Sequence, residues 1–371
     1  MSPRSRLTAA AAFAQLALAA CSPRESYVGA SMDDGGSTSS TDGAAVDAPP
    51  ADASPEVAAA DAGRPDLGPP CVLGGTTALL PATIGCPQAA PGRIVVTDRY
   101  AYWSVDGPGA IVLRAPLTTG VGEPLVYDEG GALGLAVDDT FVYYTQPTLG
   151  RVMRLPLAGG APTPLVTKLD APKFLASDGA SLYWTGGRLN NGSVLKLALA
   201  DGARPETLLD GQSGPFAIAL DGAYVYWTDI GDGSIVRALA HPPGDADGGV
   251  RTASRLASGL KGPTDLVLAG GYAYAPDQLG FVRRVPLAGG ALETVADAHG
   301  RPYGLATDGA TLYWSTSGAA GAIFAAPLGA SVTGRALVED QADPGCLAVA
   351  PGELYWATQR GQPTVRRLAR F

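Results

Sequence analysis

Residues 214–237 read GPFAIALDGAYVYWTDIGDGSIVR, and this stretch decides the fold. A short apolar run, Ala217 to Leu220, meets an Asp221-Gly222 turn. A second run, Tyr224 to Thr228, is followed by another Gly-rich turn and a third run ending at Arg237. Asp-Gly between alternating apolar runs is a hairpin signal, because such turns need backbone conformations that Gly tolerates. No helical period survives in the segment.

The unit recurs. All five Trp residues directly follow a Tyr, at Tyr102, Tyr183, Tyr226, Tyr313 and Tyr355. Degenerate copies at Tyr143-Tyr144 and Tyr274-Ala275 fill the gaps, giving steps of 41, 40, 43, 48, 39 and 42 residues. Five residues before each Tyr stand Thr97, Asp138, Asp178, Asp221, Ala269, Asp308 and Ala350, and a Pro column lies six residues earlier still. After the Tyr comes a basic column, Arg114, Arg154, Lys196, Arg237, Arg284 and Arg367. Four short strands per unit of 40–45 residues predict an all-β, seven-bladed β-propeller of four-stranded antiparallel blades over residues 71–371. The repeated Tyr-Trp pairs, Pro residues and basic residues are read as packing and pairing between sheets.

The run Tyr226-Trp227-Thr228-Asp229 resembles the YWTD repeats of the low-density-lipoprotein receptor and of related bacterial propellers. The resemblance covers residues 91–371, and the full tetrapeptide occurs once. Receptor domains of that family have six blades, whereas seven copies stand here.

The last copy, from Pro344 to Phe371, ends after its third strand and leaves an edge that a closed ring must cover. Thr76 to Leu80, ahead of the first copy, is the expected N-terminal strand that closes the last blade. A strand of that length puts Cys71 and Cys86 about 15–20 Å apart, beyond the ~7 Å that a disulfide spans. Cys86 is therefore expected to pair with Cys346 across the closure, with Cys71 left over.

Residues 1–20 read as a signal peptide, with Arg4 and Arg6 ahead of an apolar stretch too short to span a membrane. The sequence Leu18-Ala19-Ala20-Cys21 resembles the lipobox of bacterial lipoproteins, which implies acylation of Cys21 and anchoring in the cell envelope. Ser22 is what that resemblance associates with the outer membrane. Residues 21–70 hold 9 acidic and 2 basic residues with little apolar bulk, and are expected to form a disordered tether. The whole chain has 371 residues and a formal charge of -9, of which the tether supplies the larger part. The remaining acidity, with no clustered Lys and Arg, argues against nucleic acid as a partner.

Chemistry is sought where the blades differ, at the start of each first strand. Arg93, Lys173 and Asp265 supply charge there, and Phe174, Phe216 and Tyr303 supply apolar faces. This mixture suits a binding site at the channel mouth. His299, with Arg301 beside it, is placed near the mouth, and His241 in a surface loop. Propeller lyases of the streptogramin-inactivating type use a channel-mouth His with acidic and metal help, so His299 with Asp265 and a metal is the alternative, enzymatic reading. Asp229-Ile-Gly-Asp232-Gly and Asp245-Ala-Asp247-Gly have spacing compatible with Ca²⁺, but Asp and Gly equally make tight turns, and turns is the reading taken. No Walker loop, GxSxG elbow, CxxC or HExxH occurs, and no catalytic residue, metal or cofactor is assigned. The expected molecule is a monomeric envelope lipoprotein whose ring binds a protein or a glycan.

Overall fold

The computed structural model describes residues 82–84 and 91–369, save 129, 242–251, 330–332 and 361–362. The signal, Cys21, the tether, Cys71, segment 76–80 and Cys86 lie outside these residues. Among the described residues the strands form seven four-stranded antiparallel sheets. In the first blade the strands are Pro91–Val96, Tyr100–Val105, Gly109–Pro116 and Glu123–Asp128, here lettered A to D. The A strands of successive blades touch one another around the axis, and D is outermost. The expected seven-bladed propeller is the observed fold.

Within a blade, two side-chain columns set the shape. The five Trp residues of strand B are at most 1% exposed and fill the wedges between sheets. In four blades the Tyr of the repeat reaches the Asp column. Tyr143, Tyr183, Tyr226 and Tyr313 donate to Oδ2 of Asp138, Asp178, Asp221 and Asp308 at 2.6–3.0 Å. The other oxygen of each Asp accepts two backbone N–H groups of the A–B turn, as Asp221 does from Ala223 and Tyr224. One carboxylate thus shapes the turn and positions the ring five residues on. Blade five has Ala269 in this column and makes its turn with Gly270 and Gly271 at φ 56° and 80°, the backbone of a type I′ hairpin.

Blades are joined by hydroxyl groups. Ser104 Oγ accepts Arg93 N–H in its own blade and donates to Leu133 O in the next at 2.7 Å. Thr185 does the same between Phe174 N–H and Phe216 O, and Ser315 between Gly304 N–H and Gly345 O. Two blades lack this hydroxyl. Blade five has Pro276 at the position, and Thr264, just ahead of strand A, donates to Tyr303 O at 2.8 Å instead. Blade seven has Ala357, and the Cys346 thiol donates to Gly92 O. The joints are tight enough to select glycine. A Cβ on Gly134 or Gly304 would lie 2.4 or 2.6 Å from the carbonyl oxygen of Lys173 or Gly345.

The basic column also staples the ring. Arg237 donates to Leu287 O in the next blade and Arg367 to Leu117 O across the closure. Arg114, Arg237 and Arg284 lie 4.3–4.7 Å above the rings of Tyr100, Tyr224 and Tyr272.

Closure uses an N-terminal strand, as expected, but a later one. Ala82–Ile84 pairs antiparallel with Thr364–Ala369, Ala82 opposite Arg367 and Ile84 opposite Val365. Cys346 is fully buried and carries a free thiol, directed at Gly92. Its expected partner Cys86 lies outside the described residues.

Thr185→Val keeps the shape but orphans Phe174 N–H and Phe216 O. The expected cost is about 1–3 kcal/mol, read as a lower denaturant midpoint at unchanged m-value. A neutral result would mean that the hydroxyl bridges do not hold the blades.

Candidate functional site

Strand A begins at the same end of each blade as the B–C hairpin, and this end carries the variable residues. Arg93 in blade one is 2% exposed and Asp265 in blade five 0%. Asp265 Oδ1 accepts Leu266 N–H at 2.8 Å, and Oδ2 accepts Leu305 N–H of blade six at 2.7 Å. Blades one and five stand on nearly opposite sides of a seven-membered ring, so the charge of Arg93 acts on Asp265 across the axis. Burial pushes the Asp265 carboxyl up to about 7, against the pull of Arg93 and of the two backbone N–H groups. Two of the three charges expected at the mouth, Arg93 and Asp265, thus act on each other, and Asp265 is bound to the ring backbone.

The aromatic residues pack close by. Phe174, 1% exposed, meets the half-buried Phe216 edge to face at 5.0 Å between centroids. Lys173 Nζ lies 5.9 Å from the centre of the Phe216 ring. Tyr303 is buried against Cys346. Arg93, Lys173, Phe174, Phe216, Asp265 and Tyr303 all stand in or just ahead of the A strands, the innermost layer.

His299 and Arg301 do not join them. His299 sits in the D-to-A crossover at φ 54°, its N–H bound to Asp297 Oδ1 at 2.8 Å. Its ring stacks on Phe324 at 5.2 Å, and Phe324 lies in strand C of blade six, the third from the axis. The crossover runs inward from the outermost strand to the innermost, so residues early in it stand at a large radius. Arg301 turns to Gln278 Oε1, at 2.8 Å, in the blade-five hairpin. Among the described residues no group of three His, Cys, Asp or Glu side chains comes together that could hold a metal.

His241 lies at the joint of blades three and four. Its Nδ1 is 3.1 Å from Lys196 Nζ, and its Nε2 3.2 Å from Asp178 Oδ2. The side chain is half exposed, so the loop reading holds, but the imidazole is part of the inter-blade bracing.

The sequence pattern did not single out the hairpin tips. Among the described residues the exposed large apolar side chains are Tyr127, Leu149, Leu189, Leu239 and Leu279. Leu149, Leu189 and Leu279 occupy the B–C hairpins of blades two, three and five, and are 44%, 37% and 62% exposed. The half-buried Ile230 continues the row in blade four. An apolar residue in a turn where polar ones are the rule was the available signal.

No protein-family model matches the chain, and no curated protein matches it. Among solved structures it is similar to a streptogramin B lyase, with 14% identity, TM-score 0.62, and 78% of this chain and 96% of that one covered. It is also similar to virginiamycin B lyase from Staphylococcus aureus, with 15% identity, TM-score 0.59, and coverage of 76% and 96%. A nidogen/laminin complex aligns with 22% identity, TM-score 0.49, and coverage of 65% and 92%. At these identities the likeness is one of fold.

The Asp265 environment has a pH signature. Its carboxyl is raised in the folded chain from 3.8 to about 7, so the folded state holds a proton that the unfolded state releases. Its contribution to stability is therefore full below about pH 4 and falls as pH rises to about 7, by on the order of 4 kcal/mol. Asp265→Asn should flatten that slope in urea titrations run across the interval. An unchanged slope would mean that Asp265 ionises as an ordinary exposed carboxylate.

Proposed function

We propose that this chain is an envelope-anchored lipoprotein, acylated at Cys21, whose propeller is a non-enzymatic binding module. The observation that carries the reading is the set of exposed leucines on the hairpins of blades two, three and five, Leu149, Leu189 and Leu279, at the end of the ring where strand A begins. Solvent-exposed apolar side chains in series are stabilised by covering them, and a protein surface offers the apolar contact that does so. The inner layer supports the same conclusion from the other side. Arg93 and Asp265 serve each other, and the apolar residues around them pack into the ring. A lyase or hydrolase centred on His299 needs a carboxylate or a metal beside that imidazole, whereas its ring lies against Phe324.

The triple variant Leu149→Ser, Leu189→Ser, Leu279→Ser changes only exposed positions, so the fold should be preserved. Cross-linking of the full chain in envelope preparations is expected to capture one defined protein. That capture should fall by at least about tenfold in the triple variant, the loss of some 1.4 kcal/mol of binding, and be unaffected by His299→Ala. Capture that ignores the leucines, or a substrate turnover that disappears with His299, would reverse the assignment. Cys21→Ala is expected to abolish acyl-chain incorporation and to move the chain from the membrane to the soluble fraction. Retention in the membrane by the variant would remove the anchor from the proposal.

A further inference from the structure

Blades four and five carry the same residue at the end of strand B, Asp229 and Asp277, in different company. Asp277 is fully buried and fully served. Its Oδ1 accepts from Lys261 N–H and Leu279 N–H at 3.2 and 3.1 Å, and its Oδ2 faces Arg283 Nε at 3.3 Å. The residue opposite on strand C is Phe281, over whose ring the Arg283 guanidinium lies at 5.2 Å. Blade five thus brings its own cation to its buried carboxylate.

Blade four has removed that cation. The residue opposite Asp229 is Ser234, and the position two further on, Arg283 in blade five, is Val236. A bulky ring and a guanidinium have become a hydroxyl and an isopropyl group. Asp229 is 2% exposed and Ser234 0%. Asp229 Oδ1 and Ser234 Oγ are both buried, and neither meets a hydrogen-bond partner in the protein. Directly opposed residues on paired strands hold their Cβ atoms about 4.5–5.5 Å apart on the same face of the sheet, so the two side chains are neighbours. The hairpin between them is one residue longer than in blade five and adds a second carboxylate, Asp232. Arg255 holds one oxygen of Asp232, Oδ2, at 2.7 Å. Burial first, and Asp232 second, push the Asp229 carboxyl up to about 6, against the pull of Trp227, Arg255 and the Ser213 amide. Each buried polar atom left unmatched is costly, and an unmatched carboxylate oxygen opposed to an unmatched hydroxyl on the paired strand points to a ligand that both can reach.

We propose that the blade-four hairpin binds a hard divalent cation of the Ca²⁺ type, with Asp229 Oδ1, Ser234 Oγ and an Asp232 carboxylate oxygen as its ligands. Oxygen donors alone, with no nitrogen or sulfur among them, select that class of ion. Two carboxylates with an arginine beside them make the site weak, in the range of about 0.1–1 mM that suits extracellular modules. The inference does not depend on the partner-binding reading, and its test involves no partner.

The test is thermal unfolding of the full chain, in EDTA and then in rising CaCl₂ to about 10 mM at constant ionic strength. A saturating rise of about 3–6 °C in Tm is expected for the native sequence. Asp229→Asn should abolish the rise and Ser234→Ala should weaken it. The double variant Ser234→Phe, Val236→Arg installs the blade-five arrangement, and should lose the Ca²⁺ response while keeping its Tm in EDTA. Should Asp229→Asn not fold, calorimetric titration of Ca²⁺ into the native chain and the double variant gives the same comparison. A Tm indifferent to Ca²⁺, or a rise that survives Asp229→Asn or the double substitution, would falsify the site.

Discussion

The ring depends on one small bond, the hydroxyl of strand B that accepts an N–H from its own blade and donates to a carbonyl of the next. The ends of the A strands converge on the axis, where backbone groups are buried and have no lateral sheet partner. A serine or threonine at the right position serves two of them and sets the spacing of the blades. Where the hydroxyl is missing, the bond survives on another residue. Thr264 provides it behind Pro276, and Cys346 provides it behind Ala357. That two unrelated substitutions restore the same contact shows that the contact is the constraint and the residue is the means. Gly134 and Gly304 follow from it, because the neighbouring carbonyl stands where a Cβ would be.

This constraint also decides where function can reside. The innermost layer is committed to holding the ring together. Asp265 bonds to backbone groups of two blades and is balanced by Arg93 from across the axis. The hairpin tips carry the exposed leucines, Leu149, Leu189 and Leu279. Blade four shows the same logic on a smaller scale, since a buried carboxylate there stands without the arginine that its counterpart in blade five has. Departures from the repeat mean most where the fold does not explain them.

Much of the architecture was legible in the chain. The Tyr-Trp period of about forty residues implied blades, and seven copies implied seven. The Asp five residues before the Tyr was visible as a column, and it proves to be the partner of the Tyr hydroxyl. Closure by an N-terminal strand was legible because the last copy is one strand short, but its position was not. Ala82–Ile84 pairs with the last strand, whereas Thr76 to Leu80 is the more apolar run. Strand propensity marks segments able to pair, and only the geometry of the joint selects which one reaches the open edge. The place of His299 was not legible for a related reason. Sequence distance from strand A is short, but the crossover is radial, and two residues there carry a side chain away from the axis.

By itself, the sequence determined the repeat, the number of blades, the turn chemistry and the identity of the inner layer, because each rests on local spacing and side-chain alternation. Only the tertiary structure decided which residues from distant blades meet. Arg93 and Asp265, 172 positions apart, interact because ring closure brings their blades to face across one axis. The Cys346 thiol serves Gly92 because the last blade adjoins the first. The leucine row exists because separate hairpins rise from the same end of the ring. Contacts of this kind follow from the closure of a circle, which no local window of a chain contains.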